Sequence, residues 1–416
     1  MSELKKELKY IDIFLAGVGN ILGAGIYLLL GITSSYSKGL TWLSIILSGL
    51  FCLLATYGYY HIYSQNIYSQ NVQNERPESI VHNNSEFSLI ESVFGPNISN
   101  LVLGISFLGI IFTISTVSVS FSYYLENLVG IPAWIGGILG ILSVVLVNCY
   151  GLRATINLNN IATIIEVIGL VIVIIGGFSQ LNVETIGITD LTGEIRKVGL
   201  SKVFYGAFLF LFAFHGFESL IKLTEEAENP SDIMDGMRDS ILVTMVLYVL
   251  VAVASISLIG WKNLSLSKIP LADVISQIGG KSLNKLLSFS AVFSTYNTAL
   301  LLLLLNSRLI YRYAKTNNWE TLSYLDPERK IPTYSIIFCG LLSLLVSVGL
   351  PNLETLTQYS NCGFLVLLAA VNIAAWLDKK IDYSKLTETS QDHDEKPQNS
   401  QHFAMDSNSS ATTKKI

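Results

Sequence analysis

Three ionisable residues stand inside apolar stretches of this 416-residue chain, where a charged side chain is costly. Glu166 lies in the run IATIIEVIGL, and His215 and Glu218 lie in FAFHGFESL. A carboxylate or an imidazole in such surroundings can take up and release a proton, and histidine does so near physiological pH. We therefore expect ligand binding or proton transfer here. For His215, a hydrogen bond to loosened backbone is the open alternative.

Glycines are clustered beside these residues. The segment AGVGNILGAGIY contains Gly23 and Gly25, and FYGAFLFLFAFHGFESL contains Gly206 and Gly216. Irregular backbone survives at membrane depth only around a cavity, so such glycines can mark a helix break that exposes N–H and C=O groups to a ligand. The alternative is that Gly19 and Gly23, as a G-x-x-x-G pair, only let two helices approach closely.

The sequence contains no residue set typical of an enzyme, a metal site or a nucleic-acid interface. The five histidines lack metal-ligand spacing, the four cysteines lie in apolar stretches, and no nucleophile–base set or phosphate loop is present. The formal net charge is −5 and no long basic run occurs. We predict that the chain is not an enzyme, uses no cofactor or metal, and does not bind nucleic acid.

Composition identifies the elements that must position these residues. The chain is 51% hydrophobic and only 14% charged, against about a quarter charged in soluble domains. Its apolar stretches approach the ~20 residues that a membrane-crossing helix needs. We predict an all-α polytopic protein of the lipid bilayer with ten transmembrane helices. They fall at residues 11–32, 39–62, 99–126, 131–150, 157–178, 200–222, 237–260, 286–314, 333–350 and 354–377.

The segments between these helices suggest a topology. We predict a cytoplasmic N-terminal segment at residues 1–10, a polar loop at 63–98, an amphipathic connection at 261–285 and a disordered cytoplasmic tail at 378–416. The distribution of Lys and Arg places both termini in the cytoplasm by the positive-inside rule. The sequon at Asn263 would then face outward, whereas those at Asn83 and Asn97 would face inward.

The two glycine clusters occupy matching places if the ten helices divide into halves of five, at residues 11–178 and 179–377. Helix 6 is then the counterpart of helix 1. Interrupted helices at corresponding positions of two halves indicate the binding site of an inverted-repeat transporter.

Several motifs resemble those of the amino acid–polyamine–organocation transporter family, in order and spacing from residue 11 to about 377. They are GNILGAGIY at 19–27, FAFHGFESLIKLTEEAENP at 212–230, NSRLIYRYAK at 306–315, Ile331 with Pro332, and the helix 4–5 junction around Gly151 and Asn157. The resemblance implies two inverted five-helix repeats of the LeuT type, with helices 1 and 6 broken. It also implies a site at mid-membrane between helices 1, 3, 6 and 8.

The same resemblance implies how a substrate would be held. Backbone N–H groups of helix 1 would bind a substrate carboxylate, and carbonyls at the helix 6 break would bind its ammonium group. Phenylalanines of helix 6 would form apolar walls or a gate, although packing explains each of them equally well. The substrate-binding residues implied are Gly23, Ala24, Gly25, Ile26, Phe212, Ala213, Phe214, His215 and Phe217.

Two carboxylates are candidates for coupling and gating. Many relatives have a lysine near Glu166, which in proton-coupled members stands in for a sodium ion. A carboxylate at mid-membrane is costly unless it faces the bundle interior, so we predict that Glu166 is interior and couples transport to protons. Glu218 would bind backbone or gate the pathway. The acidic group Glu225, Glu226 and Glu228 forms either a solvated turn or an inner gate with Arg308 or Arg312.

The resemblance implies a secondary transporter of amino acids that works by alternating access, as a proton-coupled symporter or an exchanger. One alternative is an exchanger of polyamines or cationic amino acids, which an acidic side chain facing the cavity, such as Glu126 or Glu218, would favour. Another is a nutrient receptor or structural membrane subunit without turnover. This alternative is suggested by three departures from the family. Ala24 replaces a serine, the end of helix 2 lacks an acidic residue and a Pro/Gly-rich turn, and two further helices common in relatives do not follow the tenth.

Overall fold

The computed structural model describes residues 8–73, 86–150, 152–179, 186, 190–223, 227–229, 231–327, 329 and 331–378. Within these ranges, only the backbone of residues 65–73, 152–163 and 222 is described. The chain divides into a unit of residues 1–378 and a second unit of residues 379–416. The predicted tail lies in that second unit, outside the described residues apart from Asp378.

The described chain is helical. Short 3₁₀ segments at Lys38–Leu40, Leu211–Phe214 and Phe217–Leu223 join some of the longer helices. The α-helices are α1 (Tyr10–Ile21), α2 (Ala24–Ser37), α3 (Thr41–Gln73), α4 (Glu86–Phe94), α5 (Pro96–Val129), α6 (Ala133–Tyr150), α7 (Leu152–Phe178), α8 (Leu191–Val198), α9 (Leu200–Phe210), α10 (Ser231–Leu266), α11 (Pro270–Thr316), α12 (Thr333–Gly349) and α13 (Leu353–Leu377).

These helices cover every span that hydropathy predicts. Among the described residues, seven helical stretches are long and apolar enough to cross a membrane, one of them joining α2 to α3. Shorter apolar helices lie at Tyr10–Ile21, Ile164–Phe178 and Thr333–Gly349. The predicted class, an all-α polytopic membrane protein, is confirmed. The division into two inverted five-helix repeats stays a prediction.

Two of the predicted connections contain more helix than expected. Helix α3 continues to Gln73, and α4 occupies Glu86–Phe94 inside the predicted polar loop. Leu89 and Ile90 of α4 are buried in the main core, which explains why a polar sequence holds a helix there. The 261–285 connection is likewise largely helical, and α10 and α11 change direction at Gly260 (φ 72°) and Gly280 (φ 59°).

Helix α5 packs against α13 through small and hydroxyl-bearing residues. A Cβ on Gly109 would lie 2.9 Å from the Cα of Gly363, so the backbones of α5 and α13 nearly touch. Thr113 and Ser360 share a hydrogen bond of 2.6 Å across the same contact. Lipid gives no hydrophobic drive for helix association, so close packing and interhelical hydrogen bonds must supply it.

Candidate functional site

Helix 1 is interrupted between α1 and α2 at Leu22 and Gly23, here termed the helix 1 break. Both residues have non-helical dihedrals, so neighbouring backbone groups lose their helical partners. The hydroxyl of Tyr248 on α10 donates a hydrogen bond to the Ile21 carbonyl at 2.9 Å. The Ala24 N–H donates to the Thr298 hydroxyl on α11 at 3.1 Å. Side chains of two other helices therefore satisfy the helix 1 break.

Helix 6 is interrupted at residues 211–216, here termed the helix 6 break. Helix α9 ends at Phe210, a 3₁₀ segment follows, and Gly216 takes a φ of 117°, where L side chains are rarely found. The Gly216 N–H donates to Oε2 of Glu218 at 2.9 Å, and the Ser219 hydroxyl donates to the Gly216 carbonyl at 2.6 Å. Residues next to the break therefore satisfy Gly216, and Glu218 binds backbone, as one of its two predicted roles required.

The two breaks are in direct contact. A Cβ on Gly25 would lie 2.4 Å from the Cα of Ala213, so glycine is required for this approach. The Tyr248 hydroxyl that binds the Ile21 carbonyl also lies 3.2 Å from the Ala213 carbonyl. Asn20 donates from Nδ2 to the Ser219 hydroxyl at 2.8 Å. The interrupted parts of helices 1 and 6 thus form one polar centre inside the protein.

The predicted substrate-binding residues surround this centre. Gly23 is the N-cap of α2, and Ala24, Gly25 and Ile26 form its first turn, whose N–H groups have no intrahelical partner. Residues of this set that are buried are Ala24, Gly25, Ile26, Phe212, Ala213, Phe214 and Phe217. The structure therefore brings the helix 1 and helix 6 members of the set together.

The phenylalanines of helix 6 lie in two different environments. Phe214 packs edge-on against Tyr248, with ring centroids 5.6 Å apart. Phe217 packs edge-on against Tyr59 at 5.8 Å and against Phe364 at 6.1 Å. Phe214 thus adjoins the tyrosine that joins the breaks, whereas Phe217 contacts α3 and α13.

His215 lies in the aromatic group around α13. Its ring centroid is 3.9 Å from that of Phe364 and 5.3 Å from that of Phe212. Asn361 of α13 lies beside it. Nε2 is buried and has no hydrogen-bond partner among the described residues. The imidazole therefore keeps one nitrogen available for a ligand or a proton.

Glu166 is fully buried, as predicted, and is connected to the helix 1 break through α11. Its Oε1 accepts a hydrogen bond of 2.8 Å from Ser294, while Oε2 has no partner among the described residues. The carbonyl of Ser294 in turn accepts a hydrogen bond of 3.0 Å from Thr298, whose hydroxyl accepts the Ala24 N–H. This series of contacts joins the carboxylate to the first turn of α2.

Other predicted residues lie elsewhere or are not described. Glu126 is exposed, and Glu228 is exposed with its N–H donating to the Leu8 carbonyl at 2.9 Å. Glu225 and Glu226 lie outside the described residues, so the proposed inner gate with Arg308 or Arg312 stays a prediction.

The residues that hold the breaks in place were not predicted from the sequence. Tyr248, Thr298 and Ser294 all stand in apolar stretches of α10 and α11. Their hydroxyl groups could have indicated them in the sequence. A hydroxyl at membrane depth must find a hydrogen-bond partner and therefore faces other helices. That signal does not identify the partner, which lies more than two hundred residues away in the case of Tyr248 and Ile21.

Residues 8–385 match the model of a protein family described as amino acid permease. A branched-chain amino acid permease of Bacillus subtilis (strain 168) is 24% identical over 401 residues, which cover 91% of this chain and 82% of the relative. A methylthioribose transporter of the same organism is 23% identical over 399 residues, with the same coverage of 91% and 82%. A vacuolar cationic amino acid transporter of Arabidopsis thaliana is 22% identical over 426 residues, covering 97% of this chain and 69% of the relative.

Proposed function

Because the chain belongs to the amino acid permease family, we propose that it carries amino acids across a bilayer by alternating access, with the two helix breaks as the substrate site. It is a transporter and not an enzyme. The observation that carries the proposal is the contact between Gly25 and Ala213, which brings the first turn of α2 against the 3₁₀ segment of the helix 6 break.

The first turn of α2 supplies the groups for a carboxylate. The N–H groups of Gly25 and Ile26 have no partner within the helix, and the positive end of the helix dipole favours an anion beside them. The carbonyls of the helix 6 break supply acceptors for an ammonium group, which needs up to three. Broken helices that present their ends at mid-membrane are how inverted-repeat transporters bind such substrates.

The side chains around the breaks favour a neutral, apolar amino acid over a cationic one. Phe212 and Phe214 are apolar and buried beside Ala213. Glu218 is bound to the Gly216 N–H, and Glu126 is exposed. Glu218 is thus engaged by the backbone of the helix 6 break, and Glu126 lies away from it, so neither carboxylate supports a polyamine or a cationic amino acid as the substrate.

Tyrosine–carboxylate contacts at both ends of the broken helices suit alternating access. Tyr36 of α2 and Tyr205 of α9 both donate to Oε1 of Glu354 on α13, at 2.5 Å and 2.9 Å. At the other end, Tyr10 of α1 donates to Asp239 of α10 at 2.7 Å. A few hydrogen bonds can therefore close the protein at each end. Interactions this weak can be broken and re-formed during a transport cycle.

Glu166 is proposed to couple transport to protons. Its buried carboxylate has no cationic partner among the described residues, so the neutral form is the one that burial favours. Loss of the proton would place a charge beside Ser294 and so act on Thr298 and the first turn of α2. Proton binding would thus change the backbone groups offered to the substrate.

Uptake into proteoliposomes tests both parts of the proposal. The panel contains labelled neutral amino acids, cationic amino acids, polyamines and methylthioribose, each with and without an inward proton gradient. We expect saturable uptake of a neutral amino acid, stimulated by the gradient. Binding without flux for every substrate under every gradient would identify a receptor instead.

Two glutamine variants distinguish proton coupling by Glu166 from the general effect of removing a negative charge. Glu166→Gln keeps the shape and an acceptor for Ser294 but cannot release a proton, so its uptake should lose the stimulation by the gradient. Glu126→Gln changes an exposed carboxylate and should keep it. Equal stimulation in wild type and Glu166→Gln would remove the coupling role.

Both termini are proposed to be cytoplasmic, on the distribution of Lys and Arg. Asn263 is exposed near the end of α10, and Asn97 is exposed at the start of α5. Expression in a glycosylating membrane should add a glycan at Asn263 and none at Asn97. The opposite pattern would reverse the orientation and leave the substrate site unchanged.

A further inference from the structure

A cavity with a volume of about 240 Å³ lies between α6, α11 and the start of α12. Its lining residues are Asn148, Leu304, Ser307, Arg308, Arg329, Ile331, Pro332 and Ile336. None of them belongs to α1, α2 or the helix 6 break, so this cavity is separate from the substrate site. A water molecule takes up about 30 Å³ of liquid, so there is room for a group of several heavy atoms.

Arg308 supplies a positive charge at the wall of the cavity, and no counter-ion for it is found among the described residues. Its side chain is half-buried in α11, and no hydrogen bond or ion pair is made to it by any residue that the structure describes. A guanidinium group presents five N–H donors in a planar fork, so a half-buried arginine without acceptors is costly unless a ligand supplies them. Arg312, four residues further along α11, adds a second positive charge nearby.

Arg329 stands at the rim and is held in a fixed position. Its guanidinium donates to the Cys149 carbonyl at 3.1 Å and lies 5.5 Å from the centre of the Tyr150 ring. The acidic residue beside it, Asp326, accepts the Arg329 backbone N–H at 2.7 Å. With Arg308 and Arg312 included, the cavity and its rim have an excess of positive charge among the described residues.

Asn148 adds a hydrogen-bond acceptor that a ligand of this cavity must match. Its amide nitrogen donates to the carbonyls of Val144 at 3.0 Å and Leu300 at 3.3 Å, which occupies both of its hydrogens. The residue is only 1% exposed, and its Oδ1 has no hydrogen-bond partner in the part of the chain that the structure describes. The cavity therefore presents guanidinium donors together with one buried acceptor, so a matching ligand has anionic oxygens and also an O–H or N–H group.

We propose that this cavity binds a phosphate group that carries a hydrogen-bond donor, with Arg308 and Arg329 on the anionic oxygens and Asn148 on the donor. Guanidinium groups suit phosphate because their paired N–H groups match its oxygens. Hydrogen phosphate has this chemistry, and so do phospholipid headgroups that end in an amine or a hydroxyl. Basic pockets between transmembrane helices are known to take lipid headgroups.

The test is a binding titration of the purified, delipidated full-length chain in detergent at constant ionic strength. Four probes are added separately: potassium hydrogen phosphate, and short-chain phosphatidylethanolamine, phosphatidylglycerol and phosphatidylcholine. The choline lipid has a phosphate but no donor for Asn148. We expect saturable binding of at least one donor-bearing probe, about tenfold tighter than the choline lipid, since a buried unsatisfied acceptor costs roughly that much.

Matched variants locate the binding. Arg308→Gln removes the charge of a side chain that has no partner among the described residues, so the unliganded protein should unfold at the wild-type temperature, while binding weakens about tenfold or more. Arg308→Lys keeps the charge without the fork and should bind with intermediate affinity. Arg238→Gln, an exposed arginine paired with Asp235 and Asp239, should bind like wild type.

Each outcome decides between sources or rejects the site. Binding of lipid probes without hydrogen phosphate identifies a headgroup, and saturable binding of hydrogen phosphate identifies a free anion. No saturable binding of any probe to wild type would overturn the proposal. Equal affinity in wild type, Arg308→Gln and Arg308→Lys would also overturn it, because binding would then occur elsewhere on the protein.

Discussion

The helix 1 break and the helix 6 break differ in where their polar backbone atoms find partners. At the helix 1 break, Tyr248 of α10 and Thr298 of α11 bind the Ile21 carbonyl and the Ala24 N–H. At the helix 6 break, Gly216 is bound by its near neighbours Glu218 and Ser219. The helix 1 break is held by other helices, whereas the helix 6 break is held by its own neighbours at Gly216 and by Tyr248 at the Ala213 carbonyl.

This difference assigns the two breaks different tasks. A helix end held by α10 and α11 senses any movement of those helices, and α11 also carries Ser294, the partner of Glu166. The part of the helix 6 break at Gly216 is held by its own neighbours, so it keeps its shape while its surroundings move. We infer that the helix 1 break responds to coupling and that the helix 6 break provides a fixed surface for the substrate. Substitutions at each break test this comparison.

The largest effect is expected for Gly216→Ala. The residue has a φ of 117°, and a Cβ there would lie 2.5 Å from the Asn20 carbonyl oxygen. Backbone strain of this kind costs about 1–3 kcal/mol before the collision is counted. Unfolding of the purified protein by heat should show the loss, together with loss of uptake. Gly104→Ala is the matched control, because nothing lies within 4 Å of its Cβ; equal stability of the two variants would mean that the helix 6 break is not rigid.

An intermediate effect is expected for Tyr248→Phe, a substitution that acts on both breaks. It removes the hydroxyl from the Ile21 and Ala213 carbonyls and leaves both buried. The expected loss of stability is about 1–2 kcal/mol, with a corresponding loss of substrate affinity. Tyr57→Phe, at an exposed tyrosine of α3, should have no effect. Wild-type behaviour of Tyr248→Phe would show that the two breaks do not depend on α10.

The smallest effect is expected at Thr298, where two substitutions separate shape from hydrogen bonding. Thr298→Val keeps the shape but leaves the Ala24 N–H without an acceptor, at a cost of about 1 kcal/mol. Thr298→Ser keeps the hydroxyl and should behave like wild type. If α11 transmits coupling, Thr298→Val should also reduce the stimulation of uptake by a proton gradient. An unchanged stimulation would contradict that role for the helix 1 break.

The sequence predicts the helices and the breaks for physical reasons that are local. Apolar runs of sufficient length identify the spans, and Gly23, Gly25 and Gly216 identify backbone that departs from the helix or approaches another chain segment closely. The burial of Glu166 was also predictable, because a carboxylate in an apolar helix cannot face lipid.

The partners of the breaks were not predictable, because they depend on how distant helices pack. Nothing in the run around Tyr248 indicates that its hydroxyl reaches Ile21 and Ala213 at once. The location of His215 against Phe364 depends in the same way on the placement of α13. Helix α4 was missed because its nine residues are too short to show a clear pattern within a polar segment.

Binding of a transported amino acid to Gly25→Ala tests the central claim, that the two breaks form the substrate site, most directly. The measurement is equilibrium binding of the labelled amino acid to purified wild type, Gly25→Ala and Gly104→Ala. The added methyl group would lie 2.4 Å from the Ala213 Cα and must separate the breaks, so affinity should fall about tenfold or more. Gly104→Ala should bind like wild type. Wild-type affinity in a correctly folded Gly25→Ala would contradict the account.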